Sequence, residues 1–348
     1  MAALLLGCGH AEPFRVPDYG TDDPSQPGPV VRLTFSAGHD RDPAWLPGDN
    51  GVLYAFERLD RLDRDGCLGE LPATGGQRRW SVCEGPVART DSNESLAWPA
   101  VSPGGQLAYV YERRGLLAIT YGPDLRQFIV TRLDDWAARR STVTLPGATD
   151  DGVLYASASH ARWLDEDRLV YRADLYFIAR PPFTPDPRDT VVSGRAIVLA
   201  TFGAGGATRV TVPGTDYASS LDVAGTDTLY YTLGGDSRVF RRVLSTGAVD
   251  VIWDFAPAIA RGVQVRGRRL AAVVGGNVRF GVESSIPEPV QRDSGGVLHV
   301  VQLDSGTVRA FDIGLPIRHP AIAASGRSAI VEAALGRSTD LWSVALDP

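Results

Sequence analysis

Between residues 32 and 58 short apolar runs alternate with polar punctuation. A strand end at Arg32-Leu33-Thr34 is followed by a polar crossing, a short strand around Trp45, a turn at Pro47-Gly48-Asp49-Asn50-Gly51, and an apolar strand over Val52–Arg58. The turn is dense in residues that fix φ or tolerate positive φ. The same order returns at Trp98–Glu112, Ser159–Arg172, Tyr217–Tyr231, Arg261–Val273 and His319–Glu332. With Trp45, Val101, Trp163, Leu221, Val263 and Ile322 as equivalent positions, the repeats fall 42 to 62 residues apart. A two-strand signature at that period, with room for two more strands per unit, predicts an all-β fold: a six-bladed β-propeller of four-stranded antiparallel blades.

The remaining strands of each unit are expected at Cys67–Leu71 and Trp80–Cys83, Leu116–Tyr121 and Phe128–Leu133, Arg195–Phe202 and Ala207–Val212, Val239–Leu244 and Val249–Trp253, and Val297–Leu303 and Thr307–Phe311. The sixth unit ends one strand short, at Asp340–Leu346, while Val31–Phe35 is spare at the start. These two are predicted to pair and close the ring, which removes a long open sheet edge.

The first two repeats, Asp42-Pro-Ala-Trp-Leu-Pro-Gly-Asp-Asn-Gly-Val-Leu-Tyr54 and Pro99-Ala-Val-Ser-Pro-Gly-Gly-Gln-Leu-Ala-Tyr109, resemble the P-x-[WF]-S-P-D-G-x-x-[IL]-x-[FY] repeat of TolB-like propellers, also called PD40 or WD40-like. The resemblance spans about residues 31–348, is specific in those two repeats and loose from the fourth onward. It implies a six-bladed propeller in a bacterial envelope protein. TolB carries an α/β domain before its propeller, for which this sequence leaves no room, so TolB's own partners are not implied. Nor does the sequence contain the G-x-S-x-G elbow of the hydrolases that carry related propellers.

Composition sharpens the compartment more than the chemistry. The chain has 348 residues, 38 Gly and 24 Pro, and a net charge of -6; all 35 basic residues are Arg. With no basic cluster, nucleic acid is not an expected partner. Of three cysteines, Cys8 ends Leu4-Leu5-Leu6-Gly7-Cys8, a partial bacterial lipobox, preceded by only seven residues and no basic stretch. Residues 1–8 are read as a partial lipoprotein signal, 9–30 as a Pro-, Gly- and Asp-rich tether, and 31–348 as the propeller, held by lipid on the periplasmic or extracellular side of a membrane. Cys67 and Cys83 face each other across a hairpin and are expected to form a disulfide there.

Strand parity places the crossings between blades and the turns between second and third strands on one face. The insertions at 134–157, 174–193 and 275–295 fall there. So do His39, His160 and His319, with Asp42, Glu94, Asp216 and Arg261 nearby as candidate ligand-binding residues. Two functions fit. The first is an envelope scaffold that binds a protein or peptide on that face, with no cofactor and no catalytic residue. The alternative is a metal-assisted polysaccharide lyase or hydrolase at the central opening, with His39, His160 and His319 as ligands. Against the metal stands the spacing: the three histidines come from units one, three and six, which sets the third apart.

Overall fold

The computed structural model describes residues 29–36, 38–57, 66–83, 92–115, 125–132, 141–144, 153–178, 190–203, 206–276, 278–282, 289–335 and 338–347. Among them there is no helix, and the strands form six four-stranded antiparallel sheets and one two-stranded ribbon. The first sheet holds β2 (Asp40–Trp45), β3 (Gly51–Glu57), β4 (Gly66–Pro72) and β5 (Trp80–Val82). The second holds β6 (Ser92–Val101), β7 (Gln106–Gly115), β8 (Leu125–Arg132) and β9 (Ser141–Thr144). The third is β10 (Val153–Trp163), β11 (Arg168–Ile178), β12 (Thr190–Gly203) and β13 (Gly206–Thr211). The fourth is β14 (Ala218–Ala224), β15 (Thr228–Leu233), β16 (Arg238–Val243) and β17 (Val249–Asp254). In the fifth, β18 (Ala260–Arg266) and β19 (Arg269–Val274) are followed by the ribbon β20 (Val278–Val282)–β21 (Pro289–Asp293) before β22 (Val297–Gln302) and β23 (Thr307–Phe311). The sixth joins β24 (Ile317–Ile322), β25 (Ser328–Leu335) and β26 (Ser338–Ala345) to β1 (Val30–Arg32).

This is a β-propeller, and its packing shows why the second strands read as unbroken apolar runs. Successive side chains on a strand point to opposite faces, and both faces of a blade are covered. On β15, Tyr230 enters the cluster with Val263 and Leu270 of the fifth blade, while Tyr231 enters the cluster with Val170 and Ile197 of the third. On β3, Leu53 and Ala55 pack toward Leu96 and Tyr109 of the second blade, while Val52, Tyr54 and Phe56 pack toward Ile330 and Leu341 of the sixth. One buried cluster fills each junction between neighbouring blades, and the one joining the sixth to the first completes the circle.

The ends of the chain meet as expected, over a shorter stretch. Val30, Val31 and Arg32 face Val344, Ser343 and Trp342, and Leu33 N donates to the Leu341 carbonyl at 2.8 Å. Beyond Leu33 the chain leaves the sheet, and the buried Arg32 guanidinium instead bonds Asp340 at 2.8 Å. The Cys67–Cys83 disulfide is formed, with Cα atoms 4.2 Å apart.

Three sequence expectations are corrected. In the second blade the third strand is Leu125–Arg132, paired with Gln106–Arg113, and the outer strand is Ser141–Thr144. Residues 134–157 therefore contain an outer strand and the start of β10 rather than one long crossing. Much of 174–193 likewise extends the β11–β12 hairpin, and 275–295 carries the β20–β21 ribbon. Residues 179–189, like Cys8 and the tether, lie outside the described residues.

Candidate functional site

Each innermost strand breaks register near its middle. The shifts lie between Arg41 and Ala44, Ala97 and Ala100, Ser159 and Arg162, Ala218 and Ser220, Arg261 and Gln264, and Ile317 and Pro320. A bulge of this kind leaves a residue unpaired and re-aims its side chain. Four bulges contain a residue with left-handed backbone: Asp42 (φ 54°), Trp98 (φ 53°), His160 (φ 54°) and Gly262 (φ 61°). Three of these carry side chains, which costs about 1 kcal/mol or more each in strain and turns those side chains onto the propeller axis.

There they fill it. Trp98 stacks on His160 with ring centroids 4.3 Å apart, and His319 meets both edge-on, at 5.1 Å from Trp98 and 5.4 Å from His160. The axial space left between them is about 20 Å³, bordered by Asp42, Trp98, His160, Gly262 and His319 among others. His160 and His319 thus adjoin, contrary to the separation expected from their blades. The expectation assumed an open ring centre, whereas six bulged strands bring opposite side chains into contact.

On one side of this plug lies a compact charge cluster. His319 Nδ1 is 2.8 Å from Glu332 Oε2, and the Asp42 amide donates to the same oxygen at 3.3 Å. Burial lifts the Asp42 carboxyl to about 6, with Arg41 opposing and the facing Glu332 adding to the rise. Burial also works against the Glu332 carboxylate, but His319 outweighs it and holds that group below its ordinary value. His160 is also held well below its ordinary value, which for an imidazole favours the uncharged form. Burial, reinforced by Arg172, keeps its imidazole neutral, with Nδ1 3.0 Å from the Ser159 hydroxyl.

Beyond the plug, at the ends of the inner strands, a bowl of about 580 Å³ opens. All six blades line it, through Pro43–Asp49, Ala100, Val101 and Pro103, Arg162–Leu164, Asp222–Gly225, Gln264–Gly267, and Ala321, Ile322 and Ala324. This is the face of the turns between first and second strands, opposite to the face of the expected insertions. Its floor is held by Asp222, fully buried, which accepts from Arg162 Nε at 3.3 Å, Arg266 Nη1 at 2.7 Å and the Val265 amide at 2.7 Å. The Trp45 and Trp163 indoles tie blades together by donating to the Ala321 and Ala100 carbonyls at 2.8 and 3.1 Å.

The sequence candidates divide accordingly. Asp42, His160 and His319 converge on the axis. Arg261 is buried next to Gly262 in the fifth-blade bulge and donates to the Gly275 carbonyl at 2.8 Å. His39 serves the seam of the ring instead, with Nδ1 2.9 Å from the Thr339 hydroxyl, so it does not join His160 and His319 in a ligand set. Asp216 borders a separate groove of about 520 Å³ between the fourth and fifth blades. The Glu94 side chain lies outside what is described. Trp98, Glu332, Arg162, Asp222 and Arg266 were not foreseen. One usable signal existed: Asp42, Trp98 and His319 all precede a proline at matching places in their repeats.

No family model and no curated protein matches this chain. Solved structures do. A luciferin-regenerating enzyme is similar over 91% of this chain and 94% of its own, with a TM-score of 0.53 at 11% identity. The RRP9 WD40 repeats are similar over 91% and 97%, with a TM-score of 0.50 at 11% identity. A puromycin hydrolase in complex with PGG is similar over 92% of this chain at 16% identity and a TM-score of 0.50, and the chain spans 46% of its length. At these identities the likeness shows the fold, a β-propeller, and nothing narrower.

Proposed function

We propose that the chain is a ligand-binding propeller of a bacterial cell envelope, tethered by lipid at Cys8, and that a protein or peptide partner docks in the bowl. One observation carries this reading: all six inner strands converge on a bowl of about 580 Å³ whose floor is sealed by Trp98, His160 and His319. A rigid concave floor lined by several blades is how such scaffolds present a site. Two guanidinium groups share the single Asp222 carboxylate at that floor. Arg162 and Arg266 keep 21% and 28% of their side-chain surface exposed there, and that guanidinium surface suits an acidic side chain or a terminal carboxylate, which arginine recognises well. Sequence reasoning favoured the insertion face. The bowl is preferred because every blade contributes to it, whereas Asp216 borders a groove between two blades. The axial space of about 20 Å³ is too small for a sugar ring. The disulfide supports an oxidising compartment.

Panning a peptide library against the purified chain tests the docking surface. Peptides that carry a carboxylate and bind at least tenfold more weakly to Arg266→Ala, but unchanged to Asp216→Ala, would support it. Peptides indifferent to Arg266→Ala would sink it. Radiolabelled fatty acid incorporated by the wild type but not by Cys8→Ser in a bacterial host would support the tether.

A further inference from the structure

We propose that Asp42, His319 and Glu332 form a site for one divalent transition-metal ion, with Mn²⁺ or Zn²⁺ as the fitting class. Each residue offers one ligand atom, and these atoms lie within 4.8 Å of one another. Donors about 2.1 Å from one ion sit roughly 3–3.5 Å apart, so small side-chain shifts complete the geometry. Two carboxylate oxygens and one imidazole nitrogen suit the borderline metals better than calcium or magnesium, which take oxygen ligands alone.

Two further observations point to an ion rather than a hydrogen-bonded triad alone. Asp42 and His319 border the axial cavity of about 20 Å³, enough for one coordinated water. Both carboxylates are also buried, Asp42 at 5% and Glu332 at 4% exposed, and the Arg41 guanidinium stands off from Asp42 at 3.9 Å. A buried charge is best served by a close partner, and an ion seated among the three ligand atoms would contact both carboxylates directly.

The ligands also have a telling origin. Asp42 belongs to β2 of the first blade, and His319 and Glu332 belong to β24 and β25 of the sixth. The site therefore exists only in the closed ring. A metal held there would bind the folded state alone and stabilise it by mass action, clamping the two ends of the propeller at the axis while β1 clamps them at the rim.

The test does not depend on the bowl or on the envelope assignment. Chelator-treated wild-type protein is titrated separately with MnCl₂ and ZnCl₂, with bound metal counted by mass spectrometry and thermal unfolding followed in parallel. The expected result is one ion per chain and a rise in Tm that grows with metal concentration. Asp42→Asn and Glu332→Gln should each weaken binding at least tenfold and abolish the rise, while His39→Ala, outside the set, retains both. If Glu332→Gln fails to fold, the near-isosteric Asp42→Asn carries the decision, with its fold verified by circular dichroism. Folded wild type that takes up no stoichiometric ion, or Asp42→Asn that binds as tightly as wild type, overturns the proposal.

Discussion

The indole of Trp98 lies 4.3 Å from the imidazole of His160, their planes 27° from parallel. Residues 62 positions apart in the sequence, from adjacent blades, thereby close the propeller axis. The neutral state of His160, enforced by burial, suits this contact, because a bare imidazolium would pay desolvation at the centre of the molecule. Trp98 also packs against the cluster of Val110, Trp163 and Tyr171 between the second and third blades. Trp98→Ala should therefore both open the axis and cost about 3 kcal/mol of stability, within the range for large-to-small core changes. Trp98→Phe, which keeps an aromatic face, should recover more than half of that loss. Denaturant midpoints of the three proteins at constant m-value check both statements, and equal midpoints for the two variants would remove the stacking term.

Gly262 occupies the bulge position that carries a side chain in the first three blades. Its φ is +61°, and a Cβ there would meet Pro320 Cδ at 2.7 Å and the Arg318 carbonyl at 3.2 Å. Gly267 has nearly the same backbone, φ +59°, but nothing within 4 Å of its Cβ position. The pair separates two effects. Gly267→Ala should cost about 1 kcal/mol from left-handed strain alone. Gly262→Ala should cost roughly 2 kcal/mol more, because backbone of the fifth blade must move away from a proline ring of the sixth. Urea unfolding of both variants gives the difference directly. If the two losses agree within error, the contact between Gly262 and Pro320 yields without cost and does not constrain the packing of the fifth blade on the sixth.

The architecture was legible because it repeats. Each second strand, such as Val52–Phe56 or Leu229–Tyr231, buries both faces, and apolar runs between Gly- and Asp-rich turns show in composition alone. The outer strand of the second blade was misplaced because Ser141–Thr144 holds a single valine among three hydroxyl residues, with little alternation to read. The axis was half legible. Asp42, His160 and His319 were singled out as polar residues at repeat junctions, but their meeting depends on bulges that turn the chain through left-handed backbone at non-glycine residues. Asp and His tolerate such φ values better than most side chains and Trp does not, so the residue types alone do not mark the three bulges as equivalent. Glu332, on a second strand otherwise apolar, meets His319 across the β24–β25 hairpin of its own blade, where the register shift between Ile317 and Pro320 sets the pairing.

The hairpin that carries Cys67 and Cys83 should depend on its disulfide. Cys67 is fully buried in the cluster that joins the first and sixth blades, so the bridge fixes the outer strand to the seam where the chain ends meet. Cross-linking residues 16 apart constrains the unfolded chain by about 3 kcal/mol in the loop-entropy account. Adding reductant should lower the Tm of the wild type by several degrees and leave Cys67→Ser/Cys83→Ser unchanged. A double variant as stable as oxidised wild type would show that the bridge is dispensable to the ring.

The seam should also respond to pH in a direction opposite to ordinary acid denaturation. Burial pushes the Asp340 carboxyl from 3.8 up to about 6; Arg32, at 2.8 Å, opposes the rise and Asp40 adds to it. Thr34 is the other polar neighbour, its hydroxyl 3.5 Å from Asp340 Oδ1 while it accepts from the Leu341 amide. A folded-state value above the unfolded one means that the native protein holds the proton more tightly. The stabilisation from this group is then complete below about pH 3.8 and is lost as pH rises through about 6. Carboxylates held low by arginines, such as the partly buried Asp236 beside Arg238, pull stability the other way and mask the effect in the wild type alone. The difference between wild type and Asp340→Asn isolates it, because the other groups cancel. Wild type should exceed Asp340→Asn in unfolding free energy by more at pH 4 than at pH 7.5, measured by urea titration at constant ionic strength. A difference that is flat, or that grows toward neutral pH, would mean that Arg32 keeps Asp340 ionised throughout and that the seam is held by a full ion pair.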